Sequence, residues 1–142
     1  MESRGAKLAI VSTVLLALSG CATSPVPDSE TKPVPSDRII APKYLEAAPD
    51  TGIVTVKRDR GVGGSACSIR FFVDAQPVAD LRTSERVVLH LPVGEHVLSA
   101  HPNGMCGGGL REVRATVASS AALSFRNGYG GSGDLSINPT MF

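Results

Sequence analysis

Ile69-Arg70-Phe71-Phe72-Val73-Asp74 is the stretch whose reading decides the fold. Ile69, Phe71 and Val73 alternate with Arg70 and Asp74, so one face is apolar and the other polar, as in a half-buried strand. The same period of two recurs along the chain in both directions. Upstream, Val54 and Val56 alternate in a segment ending near Arg58. Downstream come a short segment over Pro77–Leu81, then Val87, Leu89 and Leu91 with Arg86 and His90 opposite. His96, Leu98 and Ala100 follow, then Val113, Ala115 and Val117, then Ala121, Leu123 and Phe125, and last Leu135 and Ile137. Gly, Pro and Ser punctuate the intervals, and no stretch after Thr51 has helical spacing. Short strands recurring about every ten residues predict an all-β chain over residues 51–142, a β-sandwich or small barrel, with a seven- to eight-stranded antiparallel sandwich of Ig-like type as the reading adopted.

The first twenty residues have a different character. Arg4 and Lys7 precede an apolar run, Leu8–Leu18, which is too short to cross a bilayer as a helix. A charged start, a short apolar run and small residues predict an export signal over residues 1–20. Leu18-Ser19-Gly20-Cys21 resembles the bacterial lipoprotein signal, or lipobox, at all four of its positions. The resemblance implies that Cys21 takes a diacylglycerol on its thiol, becomes the first residue after cleavage, and is acylated on its amino group. Several acyl chains together make a stable membrane anchor. Ala22, where an Asp would favour retention at the inner membrane, implies an outer-membrane lipoprotein facing the periplasm.

Between Ala22 and Asp50 lie six of the ten prolines: Pro25, Pro27, Pro33, Pro35, Pro42 and Pro49. Proline fixes φ and lacks an amide hydrogen, so residues 21–50 read as lipidated Cys21 followed by an extended, disordered linker. Arg38-Ile39-Ile40 and Tyr44-Leu45 are apolar enough to dock or turn. The whole chain carries fourteen Lys and Arg against thirteen Asp and Glu; without Arg4, Lys7 and Glu2, residues 21–142 carry twelve of each. This balance leaves no basic field for nucleic acid.

Exported thiols are oxidised, and with Cys21 acylated the remaining pair is Cys67 and Cys106, which predicts a disulfide. The rival is a metal site using Cys67, Cys106 and His101, which lacks a fourth ligand and any C-x-x-C pair. If each connection reverses direction, both cysteines fall in loops at one end of the sandwich. The glycines collect there too: Gly61-Val62-Gly63-Gly64, Gly104 with Gly107-Gly108-Gly109, and the run from Gly128 to Gly133. The expectation is a glycine-rich crown, facing away from the anchor because the linker enters the first strand at the opposite end. These glycines either serve a binding surface or only supply positive φ for turns.

Ile69–Leu81 together with Leu91-Pro92-Val93-Gly94-Glu95-His96-Val97-Leu98 resembles PEGA-type β-domains and related bacterial lipoproteins. Their pattern is a strand ending in Val-Asp-Gly, a short strand, and a Pro-x-Gly-x-His opening the next. Pro92, Gly94, His96 and Asp74 match, whereas Ala75 stands where the glycine is usual. The resemblance implies a PEGA-like sandwich with a binding or scaffold role.

Little points to catalysis. Gly128-Tyr129-Gly130-Gly131-Ser132-Gly133 fits G-x-G-x-x-G, but a dinucleotide site needs a helix next, and only nine residues follow. Ser65 and Ser132 lie outside any nucleophile motif, and His90, His96 and His101 are not linked to them. Arg58, Arg60, Arg82, Arg111 and Arg126, interspersed with Asp59, Asp80 and Glu112, read as a mixed, solvated rim of the crown. The sequence therefore predicts a non-enzyme without cofactor or metal: a membrane-anchored module whose crown binds an envelope protein or cell-wall component. Arg58, Arg60, Asn103, Met105 and Tyr129 are the candidate contacts. The alternative is an inhibitor of a periplasmic or host cell-wall hydrolase, presenting Asn103–Leu110 as a plug.

Overall fold

The computed structural model describes residues 22–142; the expected signal peptide and Cys21 lie outside them. The chain is all-β. Its strands are β1 (Lys32–Pro33), β2 (Thr51–Arg58), β3 (Ile69–Val73), β4 (Gln76–Leu81), β5 (Glu85–Pro92), β6 (Gly94–Pro102), β7 (Arg111–Val117), β8 (Ala122–Tyr129) and β9 (Leu135–Pro139). One sheet has the order β1-β5-β2-β8-β9 and the other β4-β3-β6-β7. The two sheets enclose Val54, Val56, Phe71, Val73, Leu81, Leu89, Leu91 and Leu98, all without exposure to solvent. These are positions that the alternation places inward.

Every segment expected from alternation forms a strand, and the pairings fit the alternating directions. β2 runs antiparallel to β5 and parallel to β8, as the fourth and seventh segments must if each connection reverses. The sheets are therefore not wholly antiparallel. Among the described residues the count rises to nine through β1, which pairs in parallel with β5.

β1 lies in the proline-rich segment, and here the structure corrects the expectation of a disordered linker. Residues 22–50 are strapped along the open side of the sandwich. The amides of Lys32 and Val34 donate to the carbonyls of Ser84 and Arg86 at 2.9 Å each. Pairing with a single neighbour uses alternate amides, so Pro33, which has none, falls where none is needed. Farther on, Ile39 bridges to Ala79, and Ile40 donates to the Val78 carbonyl at 2.7 Å. Val34, Ile39 and Tyr44 pack onto the main core. Ion pairs fix the strap: Arg38 with Glu85, and buried Lys57 with Asp28 at 2.9 Å. The strap thus covers the edges of β5 and β4, which would otherwise be free to pair with another chain.

Two turns at the far end carry the residues of the sequence pattern. Asp74 and Ala75 join β3 to β4 with φ of 49° and 66°, the two left-handed residues of a tight hairpin. The Ala75 substitution for glycine therefore leaves the backbone path as glycine would make it, at the cost of a strained residue. In the second turn, His96 Nδ1 lies 2.7 Å from Asp74 Oδ2 and Nε2 lies 2.7 Å from the Pro92 carbonyl. The Val97 amide donates to the other Asp74 oxygen at 2.9 Å. Three residues of the pattern thus tie two hairpin turns together.

Candidate functional site

The crown forms at the end of the sandwich where β2, β4, β6 and β8 finish. Cys67 and Cys106 are joined by a disulfide with their Cα atoms 6.1 Å apart, clamping the β2–β3 loop to the β6–β7 loop. The thiols are therefore unavailable to a metal with His101. Gly63, Gly64, Gly107, Gly108, Gly130 and Gly133 line a single open depression of about 480 Å³, floored by Tyr129. All three glycine-rich loops meet there, as the strand directions require.

What holds the crown is a set of charges buried beneath it. Lys57, Arg58 and Asp59 are consecutive and all buried, because the end of β2 is covered on both faces. Arg58 is only 1 % exposed. Its guanidinium donates to the carbonyls of Gly64 at 2.6 Å, Cys67 at 2.5 Å and Leu81 at 3.0 Å. A planar fork with five hydrogens suits three fixed carbonyls better than an ammonium would. Burial holds its pKa below the usual arginine range, against the attraction of Tyr129, Glu85 and Asp59.

Asp59 accepts two hydrogen bonds from Arg126, at 3.0 and 2.7 Å, and one from the Thr23 hydroxyl at 3.0 Å. Gly128 lies directly over this carboxylate and the Thr23 hydroxyl, so any β-carbon there would collide with both. At this position glycine is required by close approach rather than by a turn. Gly64, with φ of 65°, combines both reasons: its left-handed backbone sits against the Tyr129 ring.

The five candidate contacts separate into three groups. Arg60 and Met105 are on the surface: Arg60 pairs with Glu30 at 2.6 Å, and Met105 is fully exposed. Arg58 and Tyr129 are buried and act as internal supports, Tyr129 reaching the surface only at the floor of the depression. Burial raises the Tyr129 pKa, with nearby Arg58 pulling the other way. Asn103 is half-buried, and its side-chain amide donates to Ser68 Oγ and Asp80 Oδ1 at 2.9 Å each. The expected solvated rim is corrected likewise: Arg58 and Asp59 lie inside, Arg126 pairs with Asp59, and Arg70 pairs with Asp80 at 2.9 Å.

Sequence reasoning missed Thr23. Its amide donates to the Tyr129 carbonyl at 2.9 Å, and its hydroxyl accepts from the Tyr129 amide at 2.7 Å. Ser24 exchanges backbone hydrogen bonds with Arg60 at 2.8 and 3.0 Å. The described chain therefore starts against the crown, runs to the opposite end as the strap, and enters β2 there. This corrects the expected orientation, in which the crown lay far from the residues after Cys21. No known protein family matches the chain, and neither does any curated protein.

Proposed function

We propose that this chain is a lipid-anchored protein of the bacterial cell envelope, held through Cys21 at the outer membrane and facing the periplasm. On this reading it is a non-catalytic binding or scaffold module with a PEGA-like sandwich, and its contact surface is the glycine-rich loop end. One observation carries the reading: three loops, far apart in sequence, form a single surface crowned by fully exposed Met105, two of them joined by the disulfide and the third brought against both by the Tyr129 ring, which lies against Gly64 and Gly108. A preformed surface loses little entropy on binding. Two measurements test it together. Intact mass of the membrane-fraction protein should show acyl chains on Cys21. Arg60→Ala with Met105→Ala should reduce cross-linking of the crown to its envelope partner several-fold; an unchanged cross-linking pattern would refute the crown as the contact.

The alternative, inhibition of a cell-wall hydrolase, is favoured by the shape of one loop. Asn103–Leu110 projects Met105 and Leu110 into solvent while Cys106 pins it in the middle. An inhibition assay with purified cell-wall lytic enzymes separates the two readings.

A further inference from the structure

We infer that the surface the crown docks on is the bilayer that holds the lipid, so that the domain stands crown-down on its membrane. The inference rests on the lipoprotein reading above and gives that same loop end the bilayer as its partner, in place of an envelope protein.

The first argument is the path of the chain. Thr23 is bonded through both backbone and side chain to Tyr129, and Ser24 is bonded to Arg60. Cys21 is two residues before Thr23, which at about 3.8 Å per residue leaves it within roughly 8 Å of a crown residue. The strap that the sequence suggests as a spacer is used up in packing against β5 and β4. An acylated Cys21 therefore has no length of chain with which to turn the crown away from the interface.

The second argument is what the crown exposes. Val62 is 80 % exposed, Met105 fully and Leu110 half. Single exposed apolar residues are ordinary. These three stand on the two disulfide-linked loops, at the end of the molecule that Thr23 marks. Arg82, exposed in the β4–β5 turn at the same end, sits where it would meet head-group phosphates. Apolar tips beside an arginine suit an interfacial surface, and the other exposed arginines of this end, Arg60 and Arg111, are balanced by Glu30 and Asp134. In this orientation the Asp74-Ala75 and Val93-Gly94 turns face the aqueous space, roughly 25 Å away along the eight residues of β2.

The chain has no tryptophan, so a single one is a clean reporter. The full-length protein would be purified in its acylated form as two variants, Met105→Trp at the crown and Val93→Trp at the opposite end. Both positions are exposed, so neither substitution disturbs the core. Each is reconstituted into phosphatidylethanolamine–phosphatidylglycerol vesicles, with and without bromine on the acyl chains, and its intact mass is recorded. The expected result is blue-shifted emission from Met105→Trp, lowered about twofold or more by bromine, with Val93→Trp unaffected. Acylated protein whose Met105→Trp emission is insensitive to bromine overturns the inference and leaves the lipoprotein reading standing. A blue shift without bromine quenching also overturns it, in favour of a protein contact. A mass without acyl chains overturns both.

Discussion

Thr23 and Tyr129 are 106 residues apart and bonded as neighbours: the Tyr129 amide donates to the Thr23 hydroxyl at 2.7 Å, and the Tyr129 carbonyl accepts from the Thr23 amide at 2.9 Å. The same hydroxyl donates to buried Asp59. A single side chain thus joins the start of the strap, the end of β8 and the buried Asp59–Arg126 pair.

Replacing Thr23 by Val keeps the shape and removes the hydroxyl. The Tyr129 amide then loses its acceptor, and Asp59 loses one of its donors. A buried group left without its partner costs about 1–3 kcal/mol. The urea midpoint of Thr23→Val should fall accordingly, with cleavage by protease rising before Asp28, while Thr23→Ser should stay near wild type. Equal midpoints for all three proteins would show that the strap's start contributes nothing to stability.

Arg58 makes a sharper case, because its charge is buried with three carbonyls and, among the described residues, no carboxylate in direct contact. Arg58→Met removes a costly buried charge, but it orphans the carbonyls of Gly64, Cys67 and Leu81. Three lost charge-assisted bonds outweigh the relief, and a net loss of about 3 kcal/mol is expected. Arg58→Lys should recover only part of it, since an ammonium cannot span the three oxygens in one plane. Hydrogen exchange should quicken in residues 60–68 of both variants. An Arg58→Met protein as stable as wild type would mean that solvent reaches those carbonyls without strain.

The positions of the strands were legible from alternation because both inner faces are apolar and the turns carry glycine. The strap was not, and the reason is physical. Proline content predicts solvation locally, whereas the pairing of Lys32 with Glu85 depends on a neighbour 53 residues away. The buried run Lys57-Arg58-Asp59 was hidden because a strand covered on both faces has no alternation, and charged residues read as surface. Tyr129 had a signal that went unused. Phe125, Asn127 and Tyr129 continue the inward face of β8, but polar Asn127 and Gly128 mask the period. The Cys67–Cys106 pair was legible by elimination and by strand parity, whereas the side of the molecule from which the chain departs was not.

The disulfide closes a separation of 39 residues, which in the chain-entropy model stabilises the folded state by about 4 kcal/mol. The paired Cys67→Ser, Cys106→Ser variant should melt roughly 15 °C below wild type. Its loss should fall mainly on the unfolded chain, so that circular dichroism of the folded variant remains that of a β protein. A melting point within a few degrees of wild type would place the crown's stability in the buried charges instead.

Ala75 offers a test in the opposite direction. Its φ of 66° is left-handed, which costs a residue with a β-carbon about 1–2 kcal/mol relative to glycine. Ala75→Gly completes the Asp-Gly pair that tight hairpins prefer. Stability should rise by roughly 0.5–1 kcal/mol after the added entropy of the unfolded glycine is subtracted. A destabilised Ala75→Gly would mean that the alanine methyl makes a contact worth more than the strain.

His96 gives the last prediction through its two neighbours. The Asp74 carboxylate and the Pro92 carbonyl are both acceptors, so both ring nitrogens must donate, and the folded state prefers the imidazolium. Burial pulls the pKa down, but the bonds to Asp74 and Pro92 outweigh it and the imidazole pKa lies above its ordinary value. For Asp74, burial pushes the pKa up, but the Val97 amide and His96 bring it below the usual carboxylate range. A group whose pKa is raised on folding stabilises fully below its unfolded value and loses that contribution as pH rises through the folded one. The wild type should therefore lose stability between about pH 6.5 and a point above it, as the imidazolium discharges. His96→Gln should show no such step, and Asp74→Asn should shrink it, because the carboxylate is what favours the charge. Thermal melts at about pH 5.5 and about pH 8.5 for the three proteins decide the matter. A step of equal size in His96→Gln would assign it to another group and leave the His96–Asp74 contact neutral.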